Sequence, residues 1–202
     1  MTEARALRER GARHSRGRRR PTVTLLATLL IAVLALAQGN VAGSQTKSAK
    51  SAKKSSVTVM TGYEKQLAAA MNAVRRQYGL RSLKLVPGLM RSADKHSLQM
   101  ACNGYFAHSS PNGASFITRV KRFYGSAGSS YYSAGENILW AQPRVKPRGI
   151  VARWLASPGH RAVLLSSHWR VFGIGVVSST HGAGVFGGHA VMLVTADFAI
   201  KR

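Results

Sequence analysis

From residue 62 onward, apolar residues recur at three- and four-residue steps over several stretches, which predicts amphipathic helices. Glycine and proline mark some of the helix ends: Gly79 ends the first helix and Pro87 begins the second. The predicted helices cover 62–78, 87–102, 114–123 and 148–156, and a short extended piece at 83–85 lies between the first two.

Within the second helix, the pattern assigns an inner face to Leu89, Ala93, Leu98 and Ala101. His96 lies beside Lys95 and is predicted to face solvent. Cys102 follows apolar neighbours and is predicted to be a small buried side chain. It is the chain's only cysteine, so an intramolecular disulfide is excluded.

Two strand candidates close the chain. Residues 171–177 and 190–199 are apolar, and the glycine-rich stretch 180–188 separates them. Two such segments joined by a loop of this kind predict an antiparallel hairpin. Because helices precede strands instead of alternating with them, the order favours an α+β layered fold over a doubly wound parallel sheet.

The first 60 residues have a different character. Eight arginines lie between residues 5 and 20, and an uncharged run at 22–37 follows them and ends in Ala35-Leu36-Ala37. This layout is typical of a secretory signal, which predicts export to the extracellular side. The alternative is an uncleaved anchor in the cell membrane with the domain outside, although the run is shorter than the roughly 20 residues that span a bilayer.

Residues 38–60 are predicted to be a disordered linker between residues 1–37 and a folded domain at 61–202. Ser, Lys and Ala dominate the segment, and it has no apolar periodicity. The predicted domain carries 18 Lys or Arg residues against four acids, a formal charge of +14. Charge of this size predicts attraction to polyanions.

Three polar side chains stand next to turn-forming residues and are the candidate site. His108 opens the segment His108-Ser109-Ser110-Pro111-Asn112-Gly113, Glu136 follows Gly135, and His160 follows Ser157-Pro158-Gly159. Ser157 and Pro158 suit the N-cap and first position of a new helix, so the hydroxyl of Ser157 is predicted to accept the backbone N–H of His160. Two imidazoles and one carboxylate match the three protein ligands of an open zinc site.

The same segments resemble the CAP superfamily of cysteine-rich secretory, antigen 5 and pathogenesis-related proteins, in its bacterial branch without disulfides. The resemblance covers roughly residues 62–200, and four pieces of sequence carry it in the family's order: 105–113, 135–138, 154–161 and 172–176.

This resemblance implies a three-layer α-β-α sandwich with a small antiparallel sheet and a central cavity. In many members two His and two Glu line that cavity, and some members bind a divalent cation there. His108, Glu136 and His160 fall on three of these four positions. The chain departs at the fourth, where Ser157 stands three residues after Trp154 in place of Glu.

Three functions follow as hypotheses. The first is an exported, non-catalytic binding module whose His/Glu cavity holds a divalent metal such as zinc, or a small ligand. The second is a secreted hydrolase with Ser157 or water as nucleophile, His108 or His160 as base, and Glu136 orienting the base. The third is a cationic adhesion domain for anionic wall polymers or lipids. Nucleic acid is not an expected partner, because no nucleic-acid-binding motif is present.

Overall fold

A computed structural model describes residues 57–59, 61–142 and 144–202 of this chain. The described strands are β1 (Val57–Val59), β2 (Lys84–Leu85), β3 (Tyr132–Ala141), β4 (Val171–Ser179) and β5 (Val191–Lys201). The described helices are α1 (Thr61–Gln77), α2 (Pro87–Asn103), α3 (Phe116–Phe123), α4 (Pro147–Ala156) and α5 (Pro158–Leu164). The predicted signal segment and most of the predicted linker lie outside the described residues.

The strands form one sheet in the order β1-β4-β5-β3, with β2 added beside β4. Neighbours along this order are antiparallel, and the short β2 runs parallel to β4. The predicted terminal hairpin is therefore confirmed as β4 and β5. Its register places Asp197 between Glu136 on β3 and Gly173 on β4.

Helices cover both faces of the sheet. On one face, residues of α1, α4 and α5 pack in a common core with the even-numbered residues of β5 between Met192 and Ile200. On the other face, residues of α2 and α3 pack against odd-numbered positions of β5, from Val191 to Ala199. Because successive side chains of a strand point to opposite faces, both faces of the sheet are buried. The α+β class and the three layers are confirmed.

Two glycines bring α2 close to the sheet. A Cβ on Gly173 would lie 2.1 Å from the backbone of Leu89, and a Cβ on Gly175 would lie 2.2 Å from the backbone of Asp94. Any larger residue at either position would push the helix away. The close approach also lets Ser97 donate from its hydroxyl to the Gly175 carbonyl oxygen at 2.9 Å.

The predicted orientation of α2 is wrong at three positions. Leu98 is 40% exposed, Cys102 is exposed, and His96 is completely buried. At 100° per residue, His96 lies within about 20° of the buried Leu89 around the helix axis, whereas Leu98 lies about 180° from it. The apolar character of Leu98 and Cys102 was therefore misleading, and the helical repeat from Leu89 was the better guide.

Two strands differ from the sequence-based prediction. Glu136, expected at a turn, lies within the ten-residue strand β3, which was not predicted because its polar centre of Gly, Glu and Asn breaks the apolar pattern. Strand β1 falls at the end of the segment predicted to be a disordered linker, where it pairs with residues 177–179 of β4. The ordered part of the domain therefore includes residues before 61.

A buried carboxylate occupies a gap along β4. Strand β2 pairs with residues 171–172 of β4 and β1 pairs with residues 177–179. Between these two stretches, the backbone N–H of Val176 donates to Oε1 of Glu64 at 2.9 Å. Burial raises the pKa of Glu64 to about 7, and the neighbouring Asp94 adds to the rise. The carboxyl of Glu64 thus takes the place of a strand carbonyl.

No helix among the described residues has both the length and the apolar character needed to cross a bilayer.

The Glu64 position predicts a pH-dependent stability. Because its folded-state pKa is about 7 against an ordinary value of 4.5, its stabilising contribution is complete below pH 4.5 and is lost as the pH rises through 7. Relative to Glu64→Gln, the wild-type free energy of unfolding should fall by about 1–3 kcal/mol over this window. Urea unfolding of both proteins at several pH values measures the difference, and pH curves that stay parallel would contradict it.

Candidate functional site

The site begins with a buried histidine on α2 that holds the segment before α3. His96 is completely buried, and its Nε2 lies 2.9 Å from the carbonyl oxygen of Ala107, to which it donates. Burial lowers the pKa of His96 to about 4, with the negative charge of Glu136 opposing the shift. His96 is therefore neutral, and its hydrogen bond fixes the backbone immediately before His108.

His108 and Glu136 meet as the sequence predicted. The Nδ1 of His108 donates to Oε1 of Glu136 at 2.7 Å, and the carboxylate side chain is fully buried while the imidazole is 14% exposed. Strand β3 supplies Glu136, and the segment between α2 and α3 supplies His108. A carboxylate bonded to Nδ1 sets the tautomer and orientation of an imidazole.

Arg119 completes this group from α3. Its Nη2 forms an ion pair with Oε2 of Glu136. Its Nη1 donates to the carbonyl oxygen of His108 at 3.2 Å and reaches Oγ of Ser110 at 3.4 Å. One guanidinium thus joins α3, the 108–110 segment and β3. Both oxygens of the Glu136 carboxylate have a protein partner.

Two neighbouring carboxyls have opposite electrostatic surroundings. Burial alone would raise the pKa of Glu136, but the hydrogen bond from His108 and the charge of Arg119 lower it. Asp197, opposite Glu136 in the register, is completely buried, and burial together with the Glu136 charge raises its pKa well above the ordinary value. Glu136 is accordingly an anion and Asp197 a neutral acid.

His160 lies on a different layer. It is buried on α5, and Nδ2 of Asn137 donates to its carbonyl oxygen at 2.9 Å. Asn137 and Glu136 are successive residues of β3, so their side chains point to opposite faces of the sheet. The hydrogen bond that ties His160 to the sheet is therefore on the face opposite the Glu136 carboxylate.

Ser157 separates α4 from α5, as predicted, but its hydroxyl does not cap α5. The cap is made by its backbone, since the N–H of Arg161 donates to the Ser157 carbonyl oxygen at 2.8 Å. The predicted bond from the His160 N–H to the hydroxyl is wrong. Ser157 lines a separate cavity of about 670 Å³, together with Phe106, Ile138, Leu139, Trp140, Arg153, Trp154, Ala156 and Pro158.

The residues present do not fit a divalent metal. Within the described ranges, no three His, Cys, Asp or Glu side chains are grouped so that they could hold a metal ion. The Glu136 carboxylate is bound by Arg119 and His108, and a guanidinium so close to both would repel a divalent cation. The positive charge that stabilises the Glu136 carboxylate comes from the side chain of Arg119.

Three members of this buried group were not predicted, although the sequence carries a signal for each. Arg119 lies three residues after the buried Phe116 and one before Val120, on the inner side of an amphipathic helix. Asp197 is the one acid of strand β5. The other residues of this strand from Val191 to Ile200 are apolar, except Thr195. His96 follows the helical repeat of α2 described above.

Sequence comparison places most of this domain in a known family. The family model of the cysteine-rich secretory proteins, CAP, matches residues 68–194, which include His108, Glu136 and His160. The uncharacterized protein YkwD of Bacillus subtilis (strain 168) is 36% identical over 120 residues, which cover 59% of this chain and 44% of that protein. The chain spans less than half the length of the relatives that it matches in sequence.

Solved structures show the same fold. An extracellular protein containing a SCP domain from Bacillus anthracis str. Ames superposes with a TM-score of 0.52 and 28% identity over 68% of this chain and 40% of that one. An outer surface protein from Borrelia burgdorferi superposes with a TM-score of 0.60 and 15% identity over 73% of this chain and 100% of that one. Both share the mixed α and β architecture.

The ion pair between Arg119 and Glu136 predicts a large loss of stability when the cation is removed. Arg119→Met leaves a buried carboxylate with His108 as its remaining partner, so the free energy of unfolding should fall by about 3–5 kcal/mol. Arg122→Met, one turn further along α3 and exposed, should change it by less than about 0.5 kcal/mol. Urea denaturation measures both.

A double substitution separates the charge from the packing. If the loss arises from the unpaired carboxylate, Glu136→Gln in the Arg119→Met background should restore part of it. Strictly additive losses would show that the ion pair is not the cause.

The arrangement also predicts the outcome of a metal titration. Zn²⁺ added to the full chain should give the same heats with wild type, His108→Ala and His160→Ala, because the Glu136 carboxylate is already bound. A saturable heat in wild type that disappears in both variants would restore the metal site inferred from the sequence.

Proposed function

This chain belongs to the cysteine-rich secretory protein (CAP) family, and from that premise we propose that it is an exported, non-catalytic binding module for anionic lipids or wall polymers at the cell surface. The observation that carries the proposal is the separation of charge between the inside and the outside of the domain.

The exposed charge is positive throughout. Of the 18 Lys and Arg residues between 61 and 202, only Arg75 and Arg119 are buried, and the other 16 are exposed. Glu64, Glu136 and Asp197 are buried and Asp94 is half-buried, so no acid of this range is exposed. A surface of this kind attracts polyanions and has no carboxylates of its own to compete for the cations.

Several of these cations lie over tyrosine rings. Arg161 lies 5.1 Å from the ring centre of Tyr78, and Lys201 lies 4.4 Å from that of Tyr124. Such contacts order the stems of the side chains while the positive charge is kept. The cations therefore stay available to an anionic partner.

Four of these cations border a groove of about 860 Å³ between α1 and the start of α4. Small, half-buried apolar side chains form its floor: Ala70, Ala73, Val145 and Pro147. Arg76, Arg144, Lys146 and Arg148 form a cationic rim. An apolar floor below a positive rim suits an amphiphile with an anionic head group, which supports lipid among the proposed ligands.

Export is supported by two independent observations. The basic, apolar and small-residue segments of 5–37 follow the layout of a secretory signal. The structural relative from Bacillus anthracis is described as extracellular. Membrane retention through residues 22–37 stays the alternative location.

The hydrolase alternative keeps one supporting observation, the contact between His108 and Glu136. A base oriented by a carboxylate is the arrangement that activates a nucleophile. Ser157, however, lines a cavity that neither His108 nor Glu136 lines. The charge of the Glu136 carboxylate is also neutralised by Arg119. Turnover of an ester or peptide substrate by the wild type that is lost in Glu136→Gln would favour catalysis over binding.

The proposed binding should depend on lipid charge and on salt. The full chain should sediment with vesicles containing phosphatidylglycerol and remain in solution with vesicles of phosphatidylcholine alone. Binding should weaken steeply between about 0.1 and 1 M salt, because the screening length falls from about 10 Å to about 3 Å. A soluble poly(glycerol phosphate) should compete. Equal binding to both vesicles, or binding that is insensitive to salt, would reject the proposal.

Matched variants test the groove. Substituting Arg144, Lys146 and Arg148 by Gln should weaken vesicle binding by up to a factor on the order of one hundred, from about 1 kcal/mol per cation at a membrane surface. Substituting Lys65, Arg81 and Arg91, which are exposed elsewhere, changes the net charge equally and should have a smaller effect. Equal losses in the two variants would assign binding to net charge and not to the groove.

A further inference from the structure

A second positive cavity lies between α2 and α3. Its volume is about 330 Å³, and α2, the 110–114 turn and α3 enclose it. The residues that line it are Lys95, Gln99, Ser110, Pro111, Asn112, Ala114, Thr118, Arg119, Arg122 and Phe123. Three of them are cations, several carry hydroxyl or amide groups, and none is acidic.

We propose that this cavity is a binding site for a single phosphate group, formed by Lys95 and Arg122 at its entrance and by Arg119 at its inner wall. We call it the α2–α3 phosphate pocket. The pocket rests on the proposed function only for the anionic class of its ligand. It deepens that function because it assigns one discrete site within a generally positive surface.

Arg119 forms the buried inner wall of the pocket. The residue is only 6% exposed, and its Nε is a buried donor that has no hydrogen-bond acceptor among the described residues. A buried donor without an acceptor is unfavourable, and the guanidinium that carries it belongs to a residue that lines the pocket. The Glu136 carboxylate binds Nη2 of the same guanidinium and keeps the group in place.

Two exposed cations form the entrance of the pocket. Lys95 on α2 and Arg122 on α3 are both exposed, and both line the same small cavity. The carboxylate next in sequence to Lys95, that of Asp94, interacts with Glu64 on the inner side of α2 and not with the pocket. Two cations converging without a carboxylate between them leave a net positive potential that an anion would neutralise.

Hydrogen bonds make one wall of the pocket rigid. The 110–114 turn is closed by the Ser110 N–H donating to the Ala114 carbonyl oxygen at 2.9 Å and by the Gly113 N–H donating to the Ser110 carbonyl oxygen at 2.9 Å. Ser110 also contacts Arg119 through its hydroxyl. The wall formed by this turn and Arg119 is therefore held in position before a ligand arrives, which limits the entropy lost on binding.

The size of the cavity selects the ligand class. A volume of about 330 Å³ is at the small end for ligand sites and accommodates a phosphate with a short substituent. Phosphate could come from a small phosphomonoester or from the phosphodiester of a lipid head group or wall polymer. The shared chemistry is a tetrahedral oxyanion, and the two sources differ in charge and in the number of ester links.

The test is calorimetry of the full chain with methyl phosphate and dimethyl phosphate at constant ionic strength. Saturable binding of at least one should appear in wild type, and Lys95→Gln with Arg122→Gln should weaken it about tenfold or more, because both cations at the entrance are lost. The charge-matched control, Lys65→Gln with Arg81→Gln, should bind as wild type does. Binding of the monoester alone indicates a small phosphorylated ligand, and binding of the diester indicates a lipid or polymer.

Two results would overturn the pocket. One is the absence of saturable binding of both phosphates, and the other is an equal loss in the pocket variant and the control. Vesicle binding measured with the same variants separates a failure of the pocket from a failure of the proposed function. If phosphate binding fails while salt-dependent vesicle binding persists, the pocket is rejected and the surface proposal stands.

Discussion

The organisation of this domain depends on one buried charge, the carboxylate of Glu136 on a strand that helices cover on both sides. A buried anion is strongly unfavourable unless hydrogen bonds and an opposite charge compensate for it. Here His108 and Arg119 provide both, and each comes from a different part of the chain. Satisfying the carboxylate therefore also fixes α3 and the segment that follows α2 against the sheet. His96 adds to this arrangement by holding the carbonyl of Ala107.

The same compensation decides what the Glu136 site can bind. A carboxylate flanked by an imidazole and a guanidinium is already neutralised, so the site has little to offer a divalent cation, although two of its residues are common metal ligands. Arg119 itself has two environments, since it pairs with Glu136 and also lines a small open cavity. In this domain the cations are thus better suited to bind a ligand than the histidines are. Between residues 61 and 202, all the exposed charged side chains are positive, which fits the same conclusion.

Most helices of the fold could be predicted from the sequence, because their apolar residues recur at the helical period and glycine or proline marks several of their ends. The terminal hairpin was predictable for a similar reason, since both strands are apolar and buried on both faces. Strand β3 could not be predicted from its own pattern, because the residues at its centre, Gly135, Glu136 and Asn137, are buried by tertiary contacts and not by hydrophobicity. The contact of His108 with Glu136 was predicted from their positions beside turn formers. Arg119 and Asp197 were not, because a charged residue in an apolar pattern is ordinarily assigned to solvent.

The distribution of acids links stability to function. Each of the three fully buried acids between residues 61 and 202 has a structural consequence: Glu64 accepts the Val176 N–H along β4, Glu136 holds His108 and Arg119, and Asp197 lies between β3 and β4 as a neutral acid. Placing acids at these interior positions removes them from the surface, where they would otherwise pair with the exposed cations. Protonation of Glu64 and Asp197 favours the fold, whereas Glu136 stabilises it as an anion. A mildly acidic, anionic environment would therefore favour the folded state through these two carboxyls, and it would suit the proposed attraction of this positive domain to a polyanion.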